Sequence, residues 1–578
     1  MTPQFACATF NVRSLLGTSR QVELQEALRT VKWDVLALNE VRLRGKGSIE
    51  YLESKDVLFW SGHAQLSQHG VGFLVKECFS NEVIFTPYSA RCASLSLPSL
   101  KLYMVAAYAP TSTSTDEEYD EFLASIDLLL SRSPRGFSPI LLGDFNCKIS
   151  RDDANNDIVG TATIHHGNES GKLVVELCRA HNLRLWSTIY EKNPKRLWTW
   201  RSPNGSTRNQ IDFIAARRSL PVKDVQVLNK VDYNSDHRML RMLFWRKCPM
   251  KAKRKQNRKH NLHLVPAQFK ENLLILGNAE ERNLDSAISV ERQYEELKKK
   301  LKNAARNATR IDTLPPKVSV ATKAILSARR MARDDNTANG RISYSTLSQQ
   351  ARRMIRDDLT ARKEEVLRRT VEKGKSVRNA VWSIRTTRKR MLAAKSNTND
   401  YSQKATVDRF KNFFDNLYSA QGPVRPADIR EFEDLPPFEP DEVINAICQL
   451  RRAGAAGSDG LTPAMLFHAK EEAGTIICNI LNHLVNGGEV PRGITEAIVT
   501  LLHKSGDSED PANFRPICLL QSCAKVLSRV LMRRMETCLE EQADDWQTGF
   551  RRGYSTLDNI HSVKEIIEKA QNITSNYA

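Results

Sequence analysis

Five short polar clusters in the first 240 residues each follow a short apolar, β-prone run. They are Phe10-Asn11-Val12, Asn39-Glu40-Val41, Gly143-Asp144-Phe145-Asn146, Gln210-Ile211-Asp212 and Ser235-Asp236-His237. Acids, amides and a histidine at several strand ends are the groups that metal-assisted cleavage of a phosphodiester requires. One such cluster is more often a turn or a helix cap. Five clusters that all supply groups suited to this reaction predict a phosphodiesterase site.

The acids of these clusters indicate how a metal ion would be bound. Hard divalent cations such as Mg2+ prefer carboxylate and amide oxygens to sulfur or crowded imidazoles. We therefore expect Glu40 and Asp236 to be metal ligands, with Asn11 close to the ion. The expected cofactor is Mg2+, and Mn2+ is its expected substitute.

The remaining polar groups are candidates for the chemical step. Asp144 follows the apolar run 140–142 and is placed to orient or deprotonate the attacking water. Asn146 and His237 are expected to contact phosphate oxygens, while Asp212 holds the imidazole and favours its charged form. Tyr108, at the end of the apolar run 102–108, is expected to steady a developing oxyanion.

Alternating strand-like and helix-like runs must position these residues. Strand-like runs lie at residues 5–10, 35–38, 71–75, 102–108, 140–142 and 211–215, and helix-like patterns lie at 22–31, 117–130 and 172–180. Strands separated both by hairpin turns and by helices predict a mixed α/β layered domain over residues 1–245.

The order of these residues resembles the endonuclease/exonuclease/phosphatase superfamily. Its motifs are carried here by Asn11, Glu40, Tyr108 with Pro110, Gly143 to Asn146, Asp212, and Ser235 to His237. The resemblance implies an α/β (α+β) fold class, with a four-layer, two-sheet β-sandwich flanked by helices, and Mg2+-dependent cleavage of phosphate esters. Thr199-Trp200 is also similar to the apurinic-type endonucleases of non-LTR (LINE-like) retrotransposons. Arg13 and Thr111 depart from the repair members of the family, which disfavours efficient abasic-site repair.

The positive charge of the chain lies in its middle. The formal net charge is +19 over 578 residues, and residues 246–400 hold 38 Lys and Arg against 16 Asp and Glu. This excess predicts a basic, mainly helical linker that binds nucleic acid, and a solvated linker without a ligand is the alternative. The candidate nucleic-acid-binding residues are Lys251, Lys253, Arg254, Lys255, Arg258, Lys259 and Arg515.

The last region, residues 401–578, resembles the N-terminal part of a reverse transcriptase. Residues 457–463, 501–504 with 513–517, and 547–551 follow the order of the motifs that precede the palm. No palm aspartate motifs follow them, so we expect an incomplete fingers region without polymerase activity. The whole arrangement is similar to an RTE-type retrotransposon polyprotein. That resemblance implies nicking of target DNA to leave a 3′ hydroxyl for target-primed reverse transcription, with DNA and element RNA as partners.

Composition narrows the class of protein further. Eleven scattered cysteines without a CxxC pair argue against a disulfide framework and a zinc site. No apolar run approaches the roughly 20 residues of a membrane span, and the N-terminus has no signal-peptide pattern. We therefore expect no membrane partner and a nuclear or cytoplasmic location. The alternatives in function are an abasic-site repair nuclease, a phosphatase of the same superfamily, and a non-catalytic nucleic-acid-binding remnant.

Overall fold

The computed structural model describes residues 4–111, 114–152, 157–245, 262–280, 289–311, 315–334, 337–372, 374, 377–390, 401–419, 436–486, 489, 491–507, 509–544, 546–549, 551 and 553–576. Its strands are β1 Gln4–Asn11, β2 Val35–Asn39, β3 Lys46–Tyr51, β4 Val57–Ser61, β5 Val71–Val75, β6 Ile84–Pro87, β7 Cys92–Leu97, β8 Leu102–Tyr108, β9 Ser138–Asp144, β10 Leu183–Leu185, β11 Trp200–Arg201, β12 Arg208–Asn209, β13 Asp212–Arg217, β14 Val222–Leu228, β15 Met239–Trp245, β16 Leu262–Leu264, β17 Thr309–Ile311, β18 Thr387–Lys389, β19 Tyr401–Ser402, β20 Ile498–His503 and β21 Phe514–Leu519. Its α-helices are α1 Thr18–Leu28, α2 Asp116–Ser131, α3 Glu169–Ala180, α4 Pro266–Glu280, α5 Val290–Asn307, α6 Val320–Asp334, α7 Ala338–Glu372, α8 Val377–Ile384, α9 Gln403–Tyr418, α10 Pro440–Gln449, α11 Pro463–His468, α12 Lys470–Val485, α13 Arg492–Thr495, α14 Ser522–Gln542 and α15 Thr556–Asn576.

Two large sheets pack face to face and form the main core of the chain. Within the described residues, one sheet has the strand order β14-β15-β1-β2-β5-β4-β3-β18 and the other has the order β10-β13-β9-β8-β7-β6-β19. Side chains from both sheets, such as Phe73 and Met104, share one buried apolar cluster. Burial of this cluster supplies the main driving force for packing the two sheets together.

Strand β9 shows how the sequence builds the layers. Ile140 and Leu142 lie in the core between the sheets, whereas Leu141 packs with the side chains of α2 and α3 on the outer face. This division arises because successive strand side chains point to opposite faces. On the outer face of the other sheet, α1 packs Leu24 in the same cluster as Leu38. The four layers are helix, sheet, sheet and helix, which confirms the predicted two-sheet sandwich.

The described residues fall into two compact units that are not consecutive in sequence. The first contains residues 1–258, 313–422 and 505–513, and the second contains residues 259–312, 423–504 and 514–578. The structure thus divides the chain differently from the three successive segments 1–245, 246–400 and 401–578 expected from the sequence. Part of the basic middle segment packs with the sandwich instead of connecting two domains.

Helices α6 and α7, called the arm below, pack on the sandwich through an apolar and an ionic contact. Val22 of α1 is buried in one cluster with Leu326 of α6 and Ile355 of α7. Arg329 of α6 places Nη1 2.8 Å from Oε1 of Glu23, and both side chains are at most 2% exposed. This pair, Glu23 and Arg329, is called the latch below. These contacts explain why a charge-rich helical segment folds onto the sandwich.

The chain after the arm adds one strand to the edge of each large sheet. Strand β18 pairs antiparallel with β3, placing Thr387 opposite Tyr51. Strand β19 pairs antiparallel with β6, placing Tyr401 opposite Phe85. Both additions cover backbone groups that an edge strand would otherwise present.

The second unit is mainly helical. Helices α4, α5, α10, α11, α12 and α14 contribute to one buried apolar cluster. Asp459, within the motif predicted at 457–463, accepts a hydrogen bond from Tyr294 Oη at 2.9 Å, and Thr462 caps the following helix α11. Strands β20 and β21 pair antiparallel over residues 498–519, where the sequence predicted a strand and a loop. The assignment of this unit to a reverse transcriptase stays a prediction.

None of the helices in the described part of the chain combines the length and the apolar character needed to cross a membrane.

Candidate active site

Strand register brings the predicted site residues to one edge of the sandwich. Parallel strands β1 and β2 end side by side at Asn11 and Asn39, so Glu40 follows directly after the second strand. In the other sheet, Tyr108 ends β8 beside Asp144, which ends the parallel strand β9. Asp144 also lies opposite Asp212, the first residue of the antiparallel strand β13. Five segments of the chain therefore meet here because their strands stop at the same level.

A hydrogen-bonded chain joins the two sheets at this edge. Asn11 Nδ2 donates to Glu40 Oε1 and to Asp144 Oδ2, each at 2.9 Å. The amide therefore holds a carboxylate from each sheet. Asn11 Oδ1 accepts from the backbone N–H of Arg13 at 3.0 Å, which fixes the orientation of the amide. The structure places Asn11 as a bridge between carboxylates, and its expected position near a metal ion stays a prediction.

His237 lies between two carboxylates of the second sheet. Its Nδ1 is 2.9 Å from Asp212 Oδ2, and its Nε2 is 3.6 Å from Asp144 Oδ2. All three residues are at most 5% exposed. Burial alone would lower the pKa of His237, but the charges of Asp212 and Asp144 outweigh it and raise the pKa well above its usual range. Asp212 therefore orients the imidazole and favours its charged form.

Asp144 has the properties of a group that can take up a proton. Burial and the nearby charge of Asp212 raise the pKa of Asp144, while His237 and the hydrogen bond from Asn11 oppose this. Asp144 Oδ1 accepts from the backbone N–H of Asn146 at 3.2 Å, which orients the carboxylate. A carboxylate with a raised pKa at a strand end can serve as a general base.

Two of the predicted site residues adopt a backbone conformation that is unusual for non-glycine residues. Glu40 has φ 53° and Asn146 has φ 47°. A left-handed non-glycine residue costs energy and persists where the surrounding structure requires it, which is common at functional sites. Asn146 Nδ2 donates to the carbonyl of Ala109 at 3.0 Å, so one of its two amide protons is already used.

Tyr108 is buried beside these carboxylates. Its side chain is 6% exposed, and burial together with the charges of Glu40 and Asp144 raises its pKa above the usual value. The guanidinium of Arg91 lies 5.5 Å from the centre of its ring. Tyr108 therefore keeps its proton at neutral pH and can donate a hydrogen bond.

The loop that carries Asp236 and His237 is fixed by the hydroxyl group of Ser235 and by the backbone carbonyl of Thr199. Ser235 Oγ donates to the carbonyl of Asn11 at 2.7 Å and accepts from the N–H of His237 at 3.0 Å. Thr199 Oγ1 accepts from the N–H of Ile211 and of Asp212, each at 3.1 Å, while its carbonyl accepts from the N–H of Arg238 at 2.6 Å.

Thr199 is a positioning residue that the sequence analysis did not assign to the site. Its buried side chain holds the backbone of Asp212, and its backbone carbonyl holds the segment after His237. The sequence did point to Thr199, because Thr199-Trp200 is similar to the same segment of the retrotransposon endonucleases. Its function depends on two backbone N–H groups, and a sequence pattern does not specify such contacts.

The donor set fits a hard divalent cation. Asp212 Oδ1 and Asp236 Oδ1 are buried and have no hydrogen-bond partner among the described residues. Atoms of Asp144, Asp212 and His237 that could bind a metal ion all lie within 4.8 Å of one another, but this group differs from the expected ligands Glu40 and Asp236. A charged His237 has no lone pair for a cation, so within this group only the two carboxylates could bind one. Burial would raise the pKa of Glu40, but hydrogen bonds from Arg42 and Asn11 lower it, so this carboxylate stays charged. Buried carboxylate oxygens without partners are the groups that a cation would satisfy.

Most of the predicted nucleic-acid-binding residues cannot be placed. Lys251, Lys253, Arg254, Lys255, Arg258 and Lys259 lie outside the described residues. Arg515 is exposed on β21 in the second unit, opposite Leu502 of β20.

Comparison with known proteins agrees with this geometry. Residues 8–237 match the model of the Endonuclease/Exonuclease/phosphatase family. This region is an endonuclease/exonuclease/phosphatase domain. Craniofacial development protein 2 of Bos taurus is 28% identical over 243 residues, which cover 41% of this chain and 40% of that protein. Probable RNA-directed DNA polymerase from transposon X-element of Drosophila melanogaster is 34% identical over 139 residues, which cover 23% of this chain and 15% of that protein.

The chain matches only part of these relatives, about two fifths of the length of the first and less of the second. Among solved structures, the endonuclease domain of TRAS1, a telomere-specific non-LTR retrotransposon, is 11% identical with a TM-score of 0.31, covering 42% of this chain and 99% of that one. The family match and the retrotransposon relatives confirm the predicted resemblance for the first domain, whereas the truncated reverse transcriptase stays a prediction. Members of this hydrolase family act on phosphodiester bonds.

Proposed function

We propose that the endonuclease/exonuclease/phosphatase domain is a Mg2+-dependent endonuclease that nicks DNA and leaves a 3′ hydroxyl. The observation that carries the proposal is the chain of polar contacts from Glu40 to Asp212. Hydrogen bonds join Glu40, Asn11 and Asp144, and a further hydrogen bond joins His237 to Asp212. Asp144 and His237 are linked by an ionic contact of 3.6 Å. DNA is the proposed substrate because several similar proteins are named as polymerases of mobile DNA elements. In such elements, a 3′ hydroxyl at the nick would prime synthesis of DNA on the element RNA.

Each side chain of the site has a defined part in this reaction. Asp144 takes a proton from the attacking water, which its raised pKa favours. His237, held charged by Asp212, and the amide of Asn146 donate hydrogen bonds to phosphate oxygens. As the bond from phosphorus to the 3′ oxygen breaks, Tyr108 donates a hydrogen bond to the developing negative charge.

Glu40 and Asp236 would hold the divalent cation, with Asn11 beside them. When bound, the cation supplies charge stabilisation at the phosphate and the leaving oxygen. Asn11 keeps Glu40 and Asp144 apart at a fixed distance through one amide group. Arg42 also contacts Glu40, at 2.8 Å, so the carboxylate is ordered before a cation arrives.

The proposal is tested by nicking of supercoiled plasmid. We expect Mg2+-dependent conversion to open circles, and loss of this activity in EDTA. Asp144→Asn and His237→Ala should each lower the rate by about 10²- to 10⁴-fold, the usual contribution of a general acid or base. The nicked plasmid should be extended by a DNA polymerase without phosphatase treatment, because the nick carries a 3′ hydroxyl.

A matched control comes from a second histidine of the same domain. His181 Nε2 is 2.7 Å from Asp127 Oδ1, but both residues lie on the helical outer layer of the sandwich. His181→Ala should nick at the wild-type rate. Undiminished nicking by Asp144→Asn or by His237→Ala would refute the assignment of the site. A wild-type chain that cleaves only plasmid carrying abasic sites would replace the proposed function with repair.

A further inference from the structure

A cleft of about 490 Å³ opens beside the active site within the first unit. Asp236 and His237 line it on the side of the sandwich, and Arg341, Tyr344 and Arg352 of the arm line it on the other side. The arm lies outside residues 8–237, the region that matches the family. The chain therefore builds one wall of this cleft from a segment beyond the family domain.

The cleft is strongly basic. Eight of its twenty lining residues are arginines, and Asp236 is the one acidic residue among them. Several of these arginines are held by contacts with the protein, but a guanidinium has five N–H donors and can serve more than one acceptor. A concave surface with this balance of charge attracts a polyanion.

Helix α7 presents one face to the cleft. Arg341, Tyr344, Ser348 and Arg352 all line it, and their spacing of three, seven and eleven residues places them along one side of a helix. Arg341 and Arg352 are exposed. Arg341 Nη1 donates to the carbonyl of Asn204 at 2.7 Å and Arg352 Nε donates to the carbonyl of Ser348 at 3.1 Å, so each guanidinium is oriented and retains further N–H groups.

The arm is attached to the same loop that carries the catalytic histidine. Tyr344 Oη donates to Asn234 Oδ1 at 3.3 Å. The N–H of Asn234 donates to Glu23 Oε1 at 3.0 Å, and Glu23 is the acid of the latch. The loop before Asp236 is thus held between the sandwich and the arm, which fixes the distance from α7 to the active site.

We propose that α7 is the second wall of a DNA-binding groove, in which Arg341 and Arg352 contact phosphates of the strand beside the scissile phosphate. This inference rests on the proposed function for the identity of the strand, because the cleft opens on the groups assigned to DNA cleavage. Eleven residues of helix span about 16 Å, roughly five nucleotide steps of duplex rise. The two arginines therefore reach phosphates well separated along one strand.

Binding of a fluorescent 30-base-pair DNA duplex to the full-length chain tests this wall, with EDTA present to prevent cleavage. Arg341→Ala combined with Arg352→Ala should weaken binding about tenfold or more near 0.1 M salt. The slope of log K against log salt should become shallower by about 1.8, the value expected for two lost phosphate contacts. Replacing both by lysine should restore most of the slope, because lysine keeps the charge.

The matched control removes two arginines of the same helix that do not line the cleft. Arg353 and Arg368 are both exposed and pair with acids of α7 itself. Arg353→Ala combined with Arg368→Ala should leave affinity and slope close to wild type. The proposal would be overturned if both double variants weakened DNA binding equally or if neither changed it. It would also be overturned if the cleft variant lost affinity only for an RNA duplex of the same sequence.

Plasmid nicking separates this inference from the proposed function. If the wild-type chain binds DNA in an arm-dependent way but does not nick with Mg2+, the proposed function fails and the DNA-binding wall stands. If the wild-type chain nicks and the cleft variant nicks with an unchanged dependence on DNA concentration, the wall fails and the proposed function stands. The proposed function and the DNA-binding wall are both supported if the cleft variant nicks with a raised KM and little change in kcat.

Discussion

The latch and the active site both bury charge in the first unit, but their charges balance differently. The latch pairs one acid, Glu23, with one base, Arg329. The active site packs two carboxylates, Asp144 and Asp212, around a single imidazole, that of His237. The first arrangement joins two segments and has no excess negative charge, because Arg20 also lies 3.8 Å from Glu23. The second has excess negative charge when both carboxylates are ionised, which a cation would offset.

Removing the acid of the latch should have the largest effect on stability. Glu23→Ala leaves the Arg329 guanidinium buried without its counter-ion, which costs about 3–5 kcal/mol of unfolding free energy. The loss should appear as a lower melting temperature and as faster proteolysis within the arm.

Two further variants test whether the unpaired charge of Arg329 causes the loss of stability in Glu23→Ala. Glu23→Leu combined with Arg329→Met should recover most of the stability, because well-packed apolar residues can replace a buried ion pair. Glu365→Ala removes an acid from exposed pairs on α7 and should leave the melting temperature nearly unchanged. If Glu23→Ala were as stable as Glu365→Ala, the latch would not attach the arm to the sandwich.

Thr199 tests the neutral contacts that position the site. Thr199→Val removes the acceptor of two buried N–H groups at nearly constant volume, and each unpaired donor costs about 1–3 kcal/mol. We expect a moderate loss of stability and a lower kcat for nicking, measured beside a nearly unchanged KM. Thr199→Ser should restore both. A stable, fully active Thr199→Val chain would show that strand pairing alone positions Asp212.

The smallest effect, with opposite sign, is expected at the active site. Asp144→Asn removes one of two crowded carboxylates. In EDTA, the free energy of unfolding of the variant should therefore equal that of wild type or exceed it by up to about 1 kcal/mol. Added Mg2+ should raise the melting temperature of wild type more than that of the variant. A variant clearly less stable than wild type in EDTA would show that the site carries no excess charge.

The strand ends were predictable from the sequence, and the arm was not. Asn11, Glu40, Asp144, Asp212 and His237 each follow or begin an apolar run, and strand register then brings them together. The arm contains so many charged residues that its sequence predicts a basic helical linker and not a segment packed on the sandwich. Its attachment depends on a few side chains separated widely in sequence, which no local pattern identifies.

The bridging role of Asn11 was beyond the sequence for a related reason. An amide after a strand indicates a polar site, but its two donors have partners only after both sheets are packed. Residue types at strand ends therefore predict which groups meet, whereas the direction of each hydrogen bond is decided by tertiary packing.

The two strands that follow the arm determine where this protein can be shortened. A fragment that stops at residue 245 would uncover the outer edges of β3 and β6, each a template for pairing with another copy. It would also uncover Val22 and remove Arg329, the arm's ionic partner of Glu23. A fragment that extends past residue 419 keeps both edges paired. The smallest well-behaved fragment that contains the candidate active site should therefore extend to residue 419 rather than end at residue 245.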